Sequence, residues 1–147
     1  MNKTNEITFE FKDVPSTWAL CFCDGCPLHG ECLRYMAGEH VPDDVTVGNA
    51  VYRSAYRNGE CRHFKPRRII RAAYGFENLF KEVKQKHYTL LREKVKAYLG
   101  SHGAYYRYNS GKRLLTPEQQ QWILDLFAEY GYTKDLTFEH YRYVFDF

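Results

Sequence analysis

Four cysteines in the first 61 residues constrain this chain more than any other feature. Cys21, Cys26, Cys32 and Cys61 are spaced C-x4-C-x5-C-x28-C, with Cys23 between the first two and His63 just after the last. Three ligands on one loop and a fourth returning from a distance is how a structural zinc site ties two segments together. Thiolates suit zinc because a soft, charged sulfur matches a borderline-soft cation. Four of them leave no open coordination position, which points to a structural role. An iron–sulfur cluster is the alternative cofactor, since four cysteines serve it equally. The bland reading is thiols buried as small core residues with no metal. Cys23 and Cys26 form the commoner C-x2-C pair, whereas Cys21 follows the apolar run Thr17-Trp18-Ala19-Leu20, so the residues alone leave the first ligand open. His29, His40 and His63 are reserve ligands.

Five cysteines, an odd number, argue against a closed disulfide framework. The segment from Met1 to Glu6 lacks the apolar stretch of a secretory signal, and no run reaches the length of a membrane span. The expectation is a cytoplasmic protein with no membrane association and reduced thiols. An aromatic content of 17% in 147 residues supplies ample core for one domain or two small ones.

Net charge is only +3, but two thirds of the 21 Lys and Arg fall between residues 62 and 113, between acidic flanks. Such a block can serve a polyanion, or it can pack against its own acidic ends.

Along the chain, Ile7 to Phe11 alternates as a strand, and Val45 to Tyr52 is a β-branched candidate. Leu33 to Ala37 reads as a short helix stopped by Gly38. Asn58-Gly59 is a hairpin turn that delivers Cys61. Beyond Pro66, helices are expected over 67–74, 76–85 and 86–99, the last two conceivably one. Ala104 to Asn109, Ser110-Gly111 and Lys112 to Leu115 give a hairpin signal over 103–116. Thr116-Pro117-Glu118-Gln119 is a capping box with proline at the first helical position, followed by an apolar stripe of Trp122, Ile123, Leu126, Phe127 and Tyr130. The tail from Leu136 to Phe147 is expected to dock as a short helix or a strand.

Three helices followed by a hairpin is the order of a winged helix, whose third helix reads the major groove. The nucleic-acid candidates are Arg67, Arg68 and Arg71 on the entry helix, Arg92 and Lys96 on the third, and Arg107, Lys112 and Arg113 on the hairpin. The rival is a protein–protein interaction module, since three helices and a hairpin also describe many such domains. There is no phosphate-cradling glycine loop, nucleophile elbow or zincin helix, so no enzyme is expected.

Three stretches, Cys26-Pro27 with Cys32-Leu33-Arg34-Tyr35, Arg71-Ala72-Ala73-Tyr74-Gly75-Phe76, and Tyr105-Tyr106-Arg107-Tyr108 through Leu115 to Gln120, resemble an uncharacterised family of small proteins from gut Bacteroidetes. The resemblance implies a C-x4-C-P-x4-C pattern matching Cys21, Cys26 and Cys32, which makes Cys21 the ligand and Cys23 the spare. It implies no activity.

The expected fold is therefore α+β. Residues 1–65 form a cysteine-rich part with short strands, clamped by zinc, and residues 66–147 form a helical part with one hairpin, resembling a winged helix. The expected function is a small non-catalytic zinc-containing binding protein, with double-stranded DNA as one partner and another protein as the alternative.

Overall fold

The structure, a computed structural model, describes residues 7–147; the leader reading rests on residues 1–6, which lie outside the described part. The fold is mixed α+β, with five α-helices and three two-stranded sheets among the described residues. The chain divides into two compact units: Met1–Ile69 with Phe145–Phe147, and Ile70–Val144.

The first unit is built from very short strands around one helix. β1 (Leu20–Cys21) runs parallel to β2 (Ala50–Val51), with Leu20 opposite Ala50 and Cys21 opposite Val51. β3 (Tyr56–Arg57) and β4 (Glu60–Cys61) form the hairpin signalled by Asn58-Gly59. Both turn residues adopt positive φ, 53° and 82°, as a two-residue turn matching the strand twist requires. The β-branched stretch from Val45 pairs only at Ala50–Val51. Ile7 to Phe11 is not a strand: residues 7–10 are irregular and a 3₁₀ turn follows at Phe11–Asp13. Phe9 instead packs at a tilt against Phe145 and His40, while Trp18 meets Phe147 edge-on.

Helix α1 (Leu33–Glu39) buries Leu33, Tyr35 and Ala37. Gly38 lies inside this helix rather than ending it. A Cβ at Gly38 would stand 2.2 Å from the Cys21 carbonyl oxygen, so glycine is there to let α1 approach the β1 backbone.

The second unit carries the larger core, centred on Phe76, Leu79, Leu91, Val95, Leu115, Ile123, Phe127 and Phe138. It contains all but the first residue of β5 (Ile69–Tyr74), then α2 (Glu77–Phe80), α3 (Gln85–Leu99), α4 (His102–Ser110), α5 (Pro117–Glu129), and all but the last residue of β6 (His140–Phe145). The capping box of α5 is formed: Gln119 N–H donates to Thr116 Oγ1 at 3.2 Å, and Thr116 N–H to Gln119 Oε1 at 2.9 Å. Its stripe buries Ile123, Leu126 and Phe127 but leaves Trp122 outside.

Two expectations fail here. Residues 67–74 are not a helix but mostly strand β5, with Ile70, Ala72 and Ala73 buried and Arg71 exposed. β5 pairs with β6, and its other edge exchanges hydrogen bonds with Leu115 through Ala73. Both partners are distant in sequence, so local helical patterning lost to non-local pairing. Residues 103–109 are not a strand but helix α4. Ser101 caps it by accepting the Ala104 N–H at 3.0 Å, and Gly111 ends it in the left-handed region at φ 85°. Ser110-Gly111 is thus a helix stop, not a hairpin tip. The hairpin over 103–116 is absent, and with it the helix–helix–helix–hairpin order of a winged helix.

Candidate metal centre and its surroundings

Cys21, Cys26, Cys32 and Cys61 all line one small cavity of about 20 Å³ in the first unit. Each arrives on a different local device. Cys21 ends β1, and Cys61 ends β4. Cys26 sits in a turn whose N–H donates to the Cys23 carbonyl at 3.2 Å. Cys32 precedes α1 and forms an isolated antiparallel bridge with Pro66. Cys23 does not line the cavity; its backbone N–H instead donates to the Cys21 sulfur. That arrangement places Cys21 among the candidate ligands and Cys23 outside them.

His29 and His63 also line the cavity, whereas His40 does not. The His29 ring donates from Nδ1 to the Cys26 carbonyl at 2.7 Å. The His40 ring donates in the same way to the Met36 carbonyl. Burial pushes the Cys21 thiol above its ordinary range, and the nearby sulfurs of Cys32, Cys23 and Cys26 push the same way. As the side chains stand, no three or more His, Cys, Asp or Glu residues among the described residues are disposed to hold a metal ion. The donor set suits zinc, and the cavity has room for about one water-sized guest.

Two residues that pattern reading did not single out build the frame. Arg34 donates from Nε to the His63 carbonyl at 2.8 Å and from Nη1 to the Ala19 carbonyl at 2.7 Å. Its guanidinium also lies 4.3 Å from the Trp18 ring centroid. It therefore holds the segments before β1 and after β4 to α1. Tyr35 donates its hydroxyl to Asp24 Oδ1 at 2.5 Å, which pins the Asp24-Gly25 turn; this bond is the main reason its pKa is pushed up to about 12. Arg34 could have been found as the one cation within the Cys32 to Ala37 run, but its partners could not. We expect Arg34→Ala to cost about 2–3 kcal/mol, since two charge-assisted bonds and a ring contact are lost, as read by denaturant unfolding. Tyr35→Phe should cost about 1 kcal/mol, because Asp24 remains solvated.

The basic candidates do not form one set. Arg67 and Arg68 belong to the first unit, where Arg68 pairs with Asp146 at 3.2 Å. The others lie in the second. Lys96 is buried, paired with Glu93 at 3.3 Å and close to the rings of Tyr105 and Tyr106. Arg92 donates to the Tyr106 hydroxyl, and Arg71 lies over the Tyr141 ring. The basic block is thus engaged partly by the chain's own tyrosines and partly by its acidic C-terminal end, where Asp146 pairs with both Lys65 and Arg68. Arg107, in the last turn of α4, comes close to Lys112 and Arg113 in the turn that follows, where Arg113 N–H donates to the Arg107 carbonyl and the Arg142 guanidinium to the Gly111 carbonyl, while the Arg113 guanidinium lies over the Tyr108 ring. Sequence reading missed Arg142, which comes from the distant strand β6.

On the opposite functional possibility, α3 and α5 frame an open groove of about 580 Å³ lined by Lys94, Ala97, Tyr98, Trp122, Asp125, Leu126 and Glu129. Tyr98 and Trp122 stack face to face there, 3.7 Å apart, and remain 37% and 39% exposed. No helix among the described residues is long and apolar enough to cross a membrane.

This is a two-unit α+β protein with a cysteine-lined cavity in its smaller core. The chain belongs to a family of unknown function, DUF6078, whose model matches residues 1–147. No curated protein and no solved structure matches it.

Proposed function

We propose that the chain is a small, non-catalytic cytoplasmic binding protein whose first unit is organised by one structural zinc ion on Cys21, Cys26, Cys32 and Cys61. The observation that carries this reading is that four thiols from four separate segments line one cavity of about 20 Å³. That volume suits a single ion better than a cluster of iron and sulfide. When bound, zinc would cross-link β1, the following loop, the start of α1 and the end of β4. Its coordination would be closed to substrate.

The pH response separates the metal-free and metal-bound forms. In the metal-free chain the raised Cys21 pKa means the fold favours the neutral thiol. That contribution is present below the ordinary thiol range and is lost as pH rises through the raised value. Zinc binding displaces thiol protons, so it strengthens with pH. Thermal melts should therefore shift down at alkaline pH for the chelated protein and down at acid pH for the zinc form. Parallel responses in both would count against the site.

For the binding activity, a protein partner is the better-supported reading. The Tyr98–Trp122 stack in the α3–α5 groove offers apolar surface rimmed by Asp125 and Glu129, while Lys94 is drawn toward Tyr130. A segment presenting apolar anchors with flanking basic side chains fits that rim. Capture of a partner that is lost with Trp122→Ser and with Asp125→Lys, but kept with Lys112→Glu, supports it. Capture indifferent to Trp122 and Asp125 contradicts it. Duplex DNA is the second reading, favoured by the gathering of Arg107, Lys112, Arg113 and Arg142. In that case log K should fall by about 0.9 per phosphate contact against log salt, and Lys112→Glu with Arg113→Glu should flatten the slope.

A further inference from the structure

The first unit holds a second cavity, about 700 Å³, that shares Val51, Cys61 and His63 with the thiol-lined one. Its size falls in the range of small-molecule sites. We propose that this cavity, lined by Arg57, Arg62, His63, Glu60 and Tyr52, binds a nucleoside monophosphate.

The cavity wall carries charged groups that the fold positions but does not use. Arg57 donates from Nε to the Ser54 carbonyl at 3.1 Å, which fixes its plane, and its two terminal nitrogens have no protein partner among the described residues. The Arg62 guanidinium and the His63 ring likewise have none there. Arg57 and Glu60 are cross-strand neighbours in the β3–β4 hairpin, yet no ion pair joins them. Other arginines of the chain lie over aromatic rings, as with Arg34 and Trp18, Arg71 and Tyr141, or Arg113 and Tyr108. Two arginines left unmatched on one concave wall can receive an anion, and arginine forks suit phosphate.

The remaining lining groups narrow the ligand class. Tyr52 is 81% exposed and meets no other ring, so it offers a free face on which a planar base can stack. Glu60 would repel a second phosphate but can accept hydrogen bonds from a ribose diol. Phosphate, ribose and base thus each find a matching group, whereas inorganic phosphate would use only the arginines.

The site is carried by a two-residue-per-strand hairpin, marginal alone. Cys61 at its end couples it to the metal centre, but the lining itself does not depend on the identity of that metal.

The test is calorimetric titration of the full chain, as purified, with AMP, GMP, CMP and UMP, and with ribose 5-phosphate, adenosine and inorganic phosphate as fragments. At least one mononucleotide should bind one to one with a dissociation constant below about 1 mM, at least tenfold tighter than every fragment. Arg62→Gln and Tyr52→Ala should each weaken it at least tenfold with unchanged melting, since both side chains are exposed and unpartnered. No saturable binding of any mononucleotide overturns the proposal. So does binding matched by inorganic phosphate, or binding that both variants leave intact. Zinc content measured on the same samples distinguishes failure of this site from failure of the metal centre.

Discussion

Gly38→Ala is expected to destabilise the first unit, although the same change inside an ordinary helix would help. Glycine in a helix costs roughly 0.5–1 kcal/mol relative to alanine, so an unconstrained position would gain by the substitution. Here the added Cβ would lie 2.2 Å from the Cys21 carbonyl oxygen, 3.1 Å from its carbon and 3.3 Å from Phe22 Cδ1. The first two neighbours are backbone and cannot rotate away. Either α1 or β1 must move, at a net cost of about 1–3 kcal/mol, typical of overpacking. The displacement falls on Cys21 itself, so the variant should also bind zinc more weakly. Denaturant unfolding and metal content read the two effects. Equal or greater stability with full zinc content would show that α1 does not sit against β1 as described.

Removing the metal is expected to have the largest effect. The first unit has strands of only two residues, and its buried apolar set is small: Leu20, Cys32, Leu33, Tyr35 and Ala37. Isolated pairs of such strands are marginal, so a metal cross-link would supply much of the unit's stability. Structural zinc sites contribute on the order of 10 kcal/mol of apparent folding free energy. Chelation, or Cys32→Ser, should therefore strongly destabilise the first unit, so that it melts well before the second. The second unit keeps its own core and helices α2 to α5, so most of the helical circular dichroism should persist. Unfolding should change from a coupled transition to an early loss of near-ultraviolet signal followed by a later helical melt. A chelated protein that melts as the untreated one does would contradict the zinc reading.

What sequence could reveal here followed the range of the interactions. The α5 capping box was legible because Thr116, Pro117 and Gln119 act within one turn. The Asn58-Gly59 hairpin was legible for the same reason. The nature of β5 was not, because Ile69–Tyr74 becomes a strand only by pairing with β6, about seventy residues on, and by bridging to Leu115. Helix α4 was misread because three tyrosines favour strands and Ser110-Gly111 serves equally as a turn or a helix stop. The cysteine spacing drew attention to four residues that line one cavity, and the cavity adds what spacing could not: Cys21 lines it and Cys23 does not. The supporting roles of Arg34, Tyr35 and Gly38 are contacts between segments, and no local pattern announces them.

The most direct test of the central claim is native mass spectrometry of the purified chain combined with thiol alkylation before and after chelation. The expected result is one zinc per chain, with one thiol, Cys23, modified readily and four thiols protected until the metal is removed. A metal-free, folded protein whose five cysteines alkylate at rates unaffected by chelator would contradict it.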